Sequence, residues 1–305
     1  MSPGPRVPRL RSALFVPGHR RDFLAKLAGG EADAAILDLE DAVPDPEKES
    51  ARREVARWLG ARAPESRPAA CVRINPLARG SLEEDLAAAL VPGLLAVLVP
   101  KLAGPEDVLH VEAALARQEA RAGIEAGRIR IWPIVETAAA VRAAFEIATA
   151  STRIAYMGGS AGADGDLARE LGFRWSASFE ETLYVRSKVL VDVRAAGVPN
   201  PMTGVVTNLR ELSEVEAFAR QSRGLGYAGM MLIHPSHVPI ANAAFGASPE
   251  ELASARRLVA ALESAERAGA GAIEHEGRMV DAAMLRVARE LLAEAGAPEG
   301  KGSGR

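Results

Sequence analysis

Arg130-Ile131-Trp132-Pro133-Ile134-Val135-Glu136-Thr137 is the stretch that decides the architecture. A near-continuous apolar run ends abruptly in a carboxylate, with none of the in-out alternation of a half-solvated strand. Such a run reads as a parallel strand covered on both faces. Downstream, Val141, Ala144, Phe145 and Ala148 keep the i, i+3, i+4, i+7 spacing of one buried helix face. The next apolar run, Arg153–Met157, then opens a second unit of the same kind. On the other side, Leu94–Val99 precedes a helix that Gly104-Pro105-Glu106-Asp107 opens with proline and acids in its first turn. Ser12–Pro17, Ala34–Leu39, Ala70–Ile74, Gly229–Ile233 and a weaker Met202–Val206 complete the set. Eight strand-helix units fit a TIM (β/α)8 barrel better than an open doubly wound sheet.

Past the eighth run the pattern changes. Ser248–Ala268 reads as a long amphipathic helix, Gly269-Ala270-Gly271-Ala272 as a hinge, and a short polar stretch leads to Asp281. A last helix to about Ala295 and a disordered tail, Gly296–Arg305, follow. The expected organisation is a barrel with its closing helix over 1–268, and a hinge, helical lid segment and tail over 269–305.

Composition narrows the functions available. With 37 Lys and Arg against 40 Asp and Glu, the formal charge is −3, and the basic residues are scattered. No electrostatic footprint for nucleic acid or an anionic membrane surface results. No apolar run is long enough to span a bilayer. Met1–Leu10 is rich in Pro and Arg, with no apolar segment behind it to suggest a secretory signal. The single cysteine, Cys71, lies inside a strand run and reads as a core side chain. The expectation is a cytoplasmic globular protein.

In such a barrel the chemistry sits at the C-terminal strand ends. Glu136 and Asp166, from neighbouring ends and with no His or Cys beside them, suit Mg²⁺ or Mn²⁺. The plainer alternative is that each caps the helix that follows. Around Asp166, the glycine-rich Gly158–Gly165 lacks dinucleotide spacing. It suits backbone N–H groups of Gly165-Asp166-Leu167 approaching a small carboxylate at a helix start. Arg73 can clamp a substrate carboxylate or pair internally with Glu40 or Asp41, and the two are compatible. Lys101 could form a Schiff base, but Glu40, Asp41 and Glu136 would keep it charged. His234 and His237 have no histidine partner at a neighbouring strand end, which argues against ligation.

An ordered set of short motifs then carries a resemblance over nearly the whole chain. They are Arg11-Ser12-Ala13-Leu14-Phe15-Val16-Pro17-Gly18, Leu37-Asp38-Leu39-Glu40-Asp41-Ala42-Val43, Arg73-Ile74-Asn75, Val99-Pro100-Lys101, Ile134-Val135-Glu136-Thr137, Ile233-His234-Pro235 and Gly277-Arg278-Met279-Val280-Asp281. The chain resembles the HpcH/HpaI aldolase and citrate lyase β-subunit family, a group of TIM barrels with a C-terminal lid that assemble as trimers or multiples of them.

The resemblance implies Mg²⁺ on Glu136 and Asp166, with Arg73 on the oxo or hydroxy acid. It also implies that Asp281, from a neighbouring subunit's lid, acts as catalytic acid/base. In CoA-using members the regions of Arg11, Phe15, His234 and Pro235 lie near the thioester. One departure is an extended glycine-rich loop before Asp166, where the family has a short Gly-x-Glu-Asp turn. The implied activity is metal-dependent cleavage of a carboxylated 3-hydroxyacyl-CoA (malyl, citramalyl or citryl) to an acetyl-CoA-type thioester and a 2-oxo acid. Alternatives are a class II aldolase on free 2-oxo acids, a thioester-hydrolysing enzyme, or a citrate-lyase-like β subunit that needs an acyl-carrier partner. From the residues alone, Asp281 reads as an exposed cap of the last helix.

Overall fold

A computed structural model describes residues 7–159, 162–163, 165–267 and 271–296. Eight parallel strands close into a barrel in sequence order: β1 (Ser12–Pro17), β2 (Ala34–Asp38), β3 (Ala69–Arg73), β4 (Leu94–Val99), β5 (Arg130–Val135), β6 (Tyr156–Gly159), β7 (Asn200–Thr203) and β8 (Gly229–Leu232). β8 pairs back on β1, Ser12 opposite Met230, so no sheet edge is left open. β6 lies further along the chain than the apolar pattern suggests, because Gly158 and Gly159 are drawn into it. A Cβ on Gly158, whose φ is 146°, would sit 1.9 Å from the Met202 carbonyl oxygen. Only glycine lets β6 and β7 approach this closely. β7 begins two residues before the apolar run that points to it.

Side-chain parity sorts the strands into an inner and an outer core. Ala34, Ile36, Cys71, Ala96, Leu98, Trp132 and Ile134 pack together inside the barrel. Ala35, Leu37, Val72, Val97, Val99, Ile131 and Val135 pack outward against the helices. Small alanines make room for Trp132 stacked on Tyr156, with centroids 5.0 Å apart. Cys71 is fully buried, and burial pushes its thiol up to about 12, consistent with a packing role. The period of two also carries the inner face upward: Asp38 and Glu40 follow Ile36, Arg73 follows Cys71, and Glu136 follows Ile134.

By its contacts the chain divides after Phe245, so helix Pro249–Arg267 groups with the C-terminal unit, whereas the sequence reading gave it to the barrel. In that unit a two-stranded antiparallel hairpin, β9 (Ala272–His275) and β10 (Arg278–Asp281), precedes helix Ala282–Gly296. Leu262, Val280 and Leu285 form its small core. The stretch expected to be irregular is therefore a hairpin, turned at Glu276 and Gly277, both with positive φ. Gly269 and Ala270 of the expected hinge, and 297–305 of the expected tail, lie outside the described residues. No helix among the described residues is long and apolar enough to cross a membrane.

Candidate active site

The C-terminal ends of β2 to β6 converge on one charged cluster. Arg73, at the end of β3, donates from Nε and Nη2 to the two oxygens of Asp38, at 2.7 and 2.6 Å. Its Nη1 lies 2.7 Å from Glu40. The guanidinium also stacks over Phe15, 4.6 Å from the ring centroid. Asp38 is fully buried, and it accepts the Glu40 and Ala42 backbone N–H groups as well. Burial opposes the Arg73 charge, but Asp38, then Glu40 and Glu136, outweigh it and raise its pKa. The internal pair is thus formed, and three of five guanidinium N–H donors are used in these contacts.

Lys101 follows β4, with φ of 52°. Its backbone N–H donates to Glu136 Oε1 at 2.9 Å, while its Nζ lies 2.6 Å from Glu40, 3.1 Å from Asp41 and 3.4 Å from Asp166. Desolvation opposes its charge, but the Glu40 carboxylate beside it, followed by Asp41, outweighs that and raises its pKa. A lysine held protonated in this way is a poor amine nucleophile, which removes the ground for a Schiff base.

The helix-cap alternatives can now be judged. Thr137, not Glu136, caps the helix after β5, its hydroxyl accepting from the Ala140 N–H at 3.0 Å. Asp166 is the first residue of the six-residue helix Asp166–Leu171, with Gly165 as its cap and Leu167 buried behind it. The Asp166 carboxylate turns to Lys101 and to the exposed Arg169. Both acids are therefore spent on the cluster and not on capping. Residues 160, 161 and 164 of the glycine-rich loop lie outside the described residues.

The electrostatics bear on whether a cation belongs here. Glu136 is pushed up to about 7, first by burial and then by the charge of Glu40, despite Arg73 and Lys101. Glu40 is also raised, again by burial first. Its oxygens make ion pairs but sit outside hydrogen-bond geometry. Positive charge is thus in short supply around these acids. Among the described residues no three His, Cys, Asp or Glu side chains form a metal cage. A Mg²⁺ site needs only one or two carboxylates, the remaining positions going to water and substrate. The donor set of Glu136 and Asp166, hard oxygens in an electron-rich mouth, fits such an ion.

Arg11 precedes β1, at the opposite end of the barrel, where its N–H and guanidinium bind Asp33 at 2.7 to 3.0 Å. A residue that opens a parallel strand cannot share the mouth with residues that close one, so the expectation of Arg11 near a thioester is corrected. Phe15 does lie beside the cluster, under Arg73. His234 and Pro235 follow β8, on the same side as the cluster, where His234 Nδ1 lies 2.7 Å from the Ser236 hydroxyl. Asp281 ends β10 and caps the last helix, accepting from Ala283 N–H at 2.9 Å and Met284 N–H at 3.3 Å. Asp38 was not singled out from the sequence, although the parity of Ile36 and Glu40 places it inward.

A profile of the HpcH/HpaI aldolase/citrate lyase family matches residues 11–235. The chain belongs to this family. It is a family of lyases. The chain is 39% identical over 289 residues to the citrate lyase subunit beta-like protein of Deinococcus radiodurans, covering 93% of this chain and 96% of that one. It is 35% identical to a (3S)-malyl-CoA thioesterase of Cereibacter sphaeroides, over 93% of this chain and 94% of the relative. Among solved structures, CitE from Mycobacterium tuberculosis in complex with magnesium, acetoacetate and coenzyme A superposes with a TM-score of 0.73 at 30% identity. That match covers 95% of this chain and all of the other.

Proposed function

We propose that the chain is a divalent-metal-dependent carbon–carbon lyase acting on a carboxylated 3-hydroxyacyl-CoA of the malyl, citramalyl or citryl type. The observation that carries this reading is the joint attachment of Glu136 and Asp166 to Lys101, beside an arginine whose fork is held rigid by Asp38. When bound by Glu136 and Asp166, a Mg²⁺ or Mn²⁺ ion supplies Lewis acidity toward the substrate's carboxylate and adjacent oxygen.

The rest is the work of the chain's own residues. Arg73, pinned by Asp38 and Phe15, offers its remaining N–H donors to the substrate carboxylate, so the acid enters in one orientation. The hydroxyl gives up its proton to water, the bond between its carbon and the thioester α-carbon breaks, and the oxygen becomes the carbonyl of a 2-oxo acid. The α-carbon keeps the electron pair and takes a proton from Asp281, supplied by a neighbouring copy; in condensation Asp281 removes that proton. Phe15, His234 and Pro235 would flank the thioester. A trimeric or hexameric assembly would supply that neighbouring copy, in a cytoplasmic enzyme.

The test is a panel of malyl-, citramalyl-, methylmalyl- and citryl-CoA offered to the purified chain, with and without EDTA. A 2-oxo acid and an acetyl-CoA-type product in equal amounts, lost with EDTA and restored by Mg²⁺, is the expected result. Free thiol without oxo acid would instead favour hydrolysis, the second reading, which the similarity to a malyl-CoA thioesterase supports. No turnover with any CoA ester, but turnover with a carrier-bound thioester, would place the chain as a subunit of a larger lyase.

A further inference from the structure

Lys101 is out of phase with its strand. Ala96 and Leu98 of β4 point into the barrel, so Lys101, of opposite parity, would continue outward among the helices. A positive φ of 52° reverses this, a conformation that glycine adopts freely and lysine does not. The backbone is therefore held in an unfavourable region at the one position where doing so turns both the main-chain N–H and the side chain into the mouth. The next residue reinforces the turn, since the Leu102 carbonyl accepts the Thr137 hydroxyl at 3.0 Å. Lys101 and Leu102 together grip Glu136 and Thr137 from the side of β4.

The contacts of the ammonium are graded. Glu40 is nearest at 2.6 Å, Asp41 lies at 3.1 Å and Asp166 is farthest at 3.4 Å. Asp166 can leave this group with the least loss, while Glu40 and Asp41 retain the lysine. We propose that Lys101 is a positioning residue for the divalent ion, its N–H fixing Glu136 while its ammonium stands in for the cation among Glu40, Asp41 and Asp166 until the ion takes Asp166 over. This rests on the metal reading above. A glycine would relax the backbone but supply no charge, which gives a physical reason for a lysine at a position that strains it.

The experiment is Mn²⁺ binding, followed by the loss of the free-ion electron paramagnetic resonance signal, on the full-length wild type, Lys101→Met and Lys101→Arg. Removing a competing positive charge should tighten Mn²⁺ binding by about three- to tenfold in Lys101→Met. The metal-free variant should melt several degrees below wild type, and saturating Mg²⁺ should close most of that gap. Lys101→Arg should stay near wild type in both. A Lys101→Met protein with unchanged or weaker Mn²⁺ binding, or a melting loss that Mg²⁺ leaves intact, overturns the proposal. Wild type that binds no Mn²⁺ defeats the metal reading itself, which is a distinct outcome.

Should Lys101→Met not fold, the wild type decides. The chain has five lysines, so ¹⁵N-lysine labelling gives few Nζ signals. The Lys101 signal, assigned with Lys101→Arg, should shift on adding Mg²⁺ while those of Lys26 and Lys188 stay in place. An unmoved Lys101 signal overturns the idea.

Discussion

Two arginines, one at each end of the barrel, show what each end is built for. Arg153 precedes β6 at the N-terminal end and makes two hydrogen bonds to Glu119, at 2.8 and 2.7 Å. Glu119 also accepts the Gly127 and Ile129 N–H groups, both at 3.0 Å. Burial alone would raise the Glu119 pKa, but Arg153 and these N–H groups outweigh it and hold it below the ordinary value. Arg73, at the C-terminal end, has as many acidic neighbours, yet Glu136 and Glu40 beside it are pushed up. One network is electrostatically complete and the other lacks positive charge. The first contributes stability, and the second carries the excess of acids that the proposed cation would offset, as the two faces of such barrels generally divide.

The sharpest way to break that contrast is Glu136→Gln. The amide keeps an oxygen for the Lys101 N–H but loses the charge. Turnover of the substrate identified by the thioester panel should fall by about a thousandfold, the scale of losing an electrostatic element of catalysis. The melting temperature of the metal-free protein should hold or rise, because a carboxylate with a raised pKa is one that folding disfavours at neutral pH. A large fall in melting temperature would mean that Glu136 is structural, and the two ends would no longer differ in kind.

Arg153→Met tests the other side. It leaves Glu119 buried without its cation, at a cost of about 3–5 kcal/mol. Calorimetry should show that loss, while turnover per folded molecule stays within about twofold of wild type. A selective loss of turnover would mean that the lower network also serves the chemistry.

pH should move the two ends in opposite directions. Glu119, with a depressed pKa, contributes stability that is present above the ordinary carboxylate value and fades as pH falls through its own lower one. Glu136, raised to about 7, behaves in reverse: between about 4.5 and 7 the folded protein holds a proton that the unfolded chain has lost. Its contribution to stability is therefore lost as pH rises through 7. Mn²⁺ affinity should weaken toward a tenfold loss per pH unit below that point, because the ion and the proton compete for one carboxylate. A flat affinity between pH 5.5 and 8 would show that the ion binds elsewhere.

How much of this could be read from the sequence follows from parity. Apolar runs ending in Glu40, Arg73 and Glu136 placed three strands and their mouth residues correctly, since a strand's period of two reports its facing directly. Asp38 reads from the sequence only as one of the polar residues ending β2; the structure shows it paired with Arg73. The turn at Lys101 has no signature, as nothing in Pro100-Lys101-Leu102 announces a positive φ. Arg11 was misplaced because motif adjacency along the chain says nothing of which end of a strand a residue occupies. The hairpin around Glu276-Gly277 did carry a signal, a glycine between two short alternating segments, but polar residues on both sides masked it.

The smallest expected effect concerns the C-terminal unit, where two roles coincide at Asp281. Its carboxylate caps the last helix through the Ala283 and Met284 N–H groups. Asp281→Ala should cost that unit about 1 kcal/mol, the usual worth of such a cap. Asp281→Asn keeps an oxygen for the same N–H groups and should leave the melting curve unchanged. Neither value bears on the proton transfer, but exchange at the thioester α-carbon does. In both variants, solvent deuterium should stop entering the acetyl group of the product thioester, at any pH. If Asp281→Asn still exchanges at the wild-type rate, the cap is the whole role of Asp281, and the acid that serves the α-carbon must come from the barrel's own mouth.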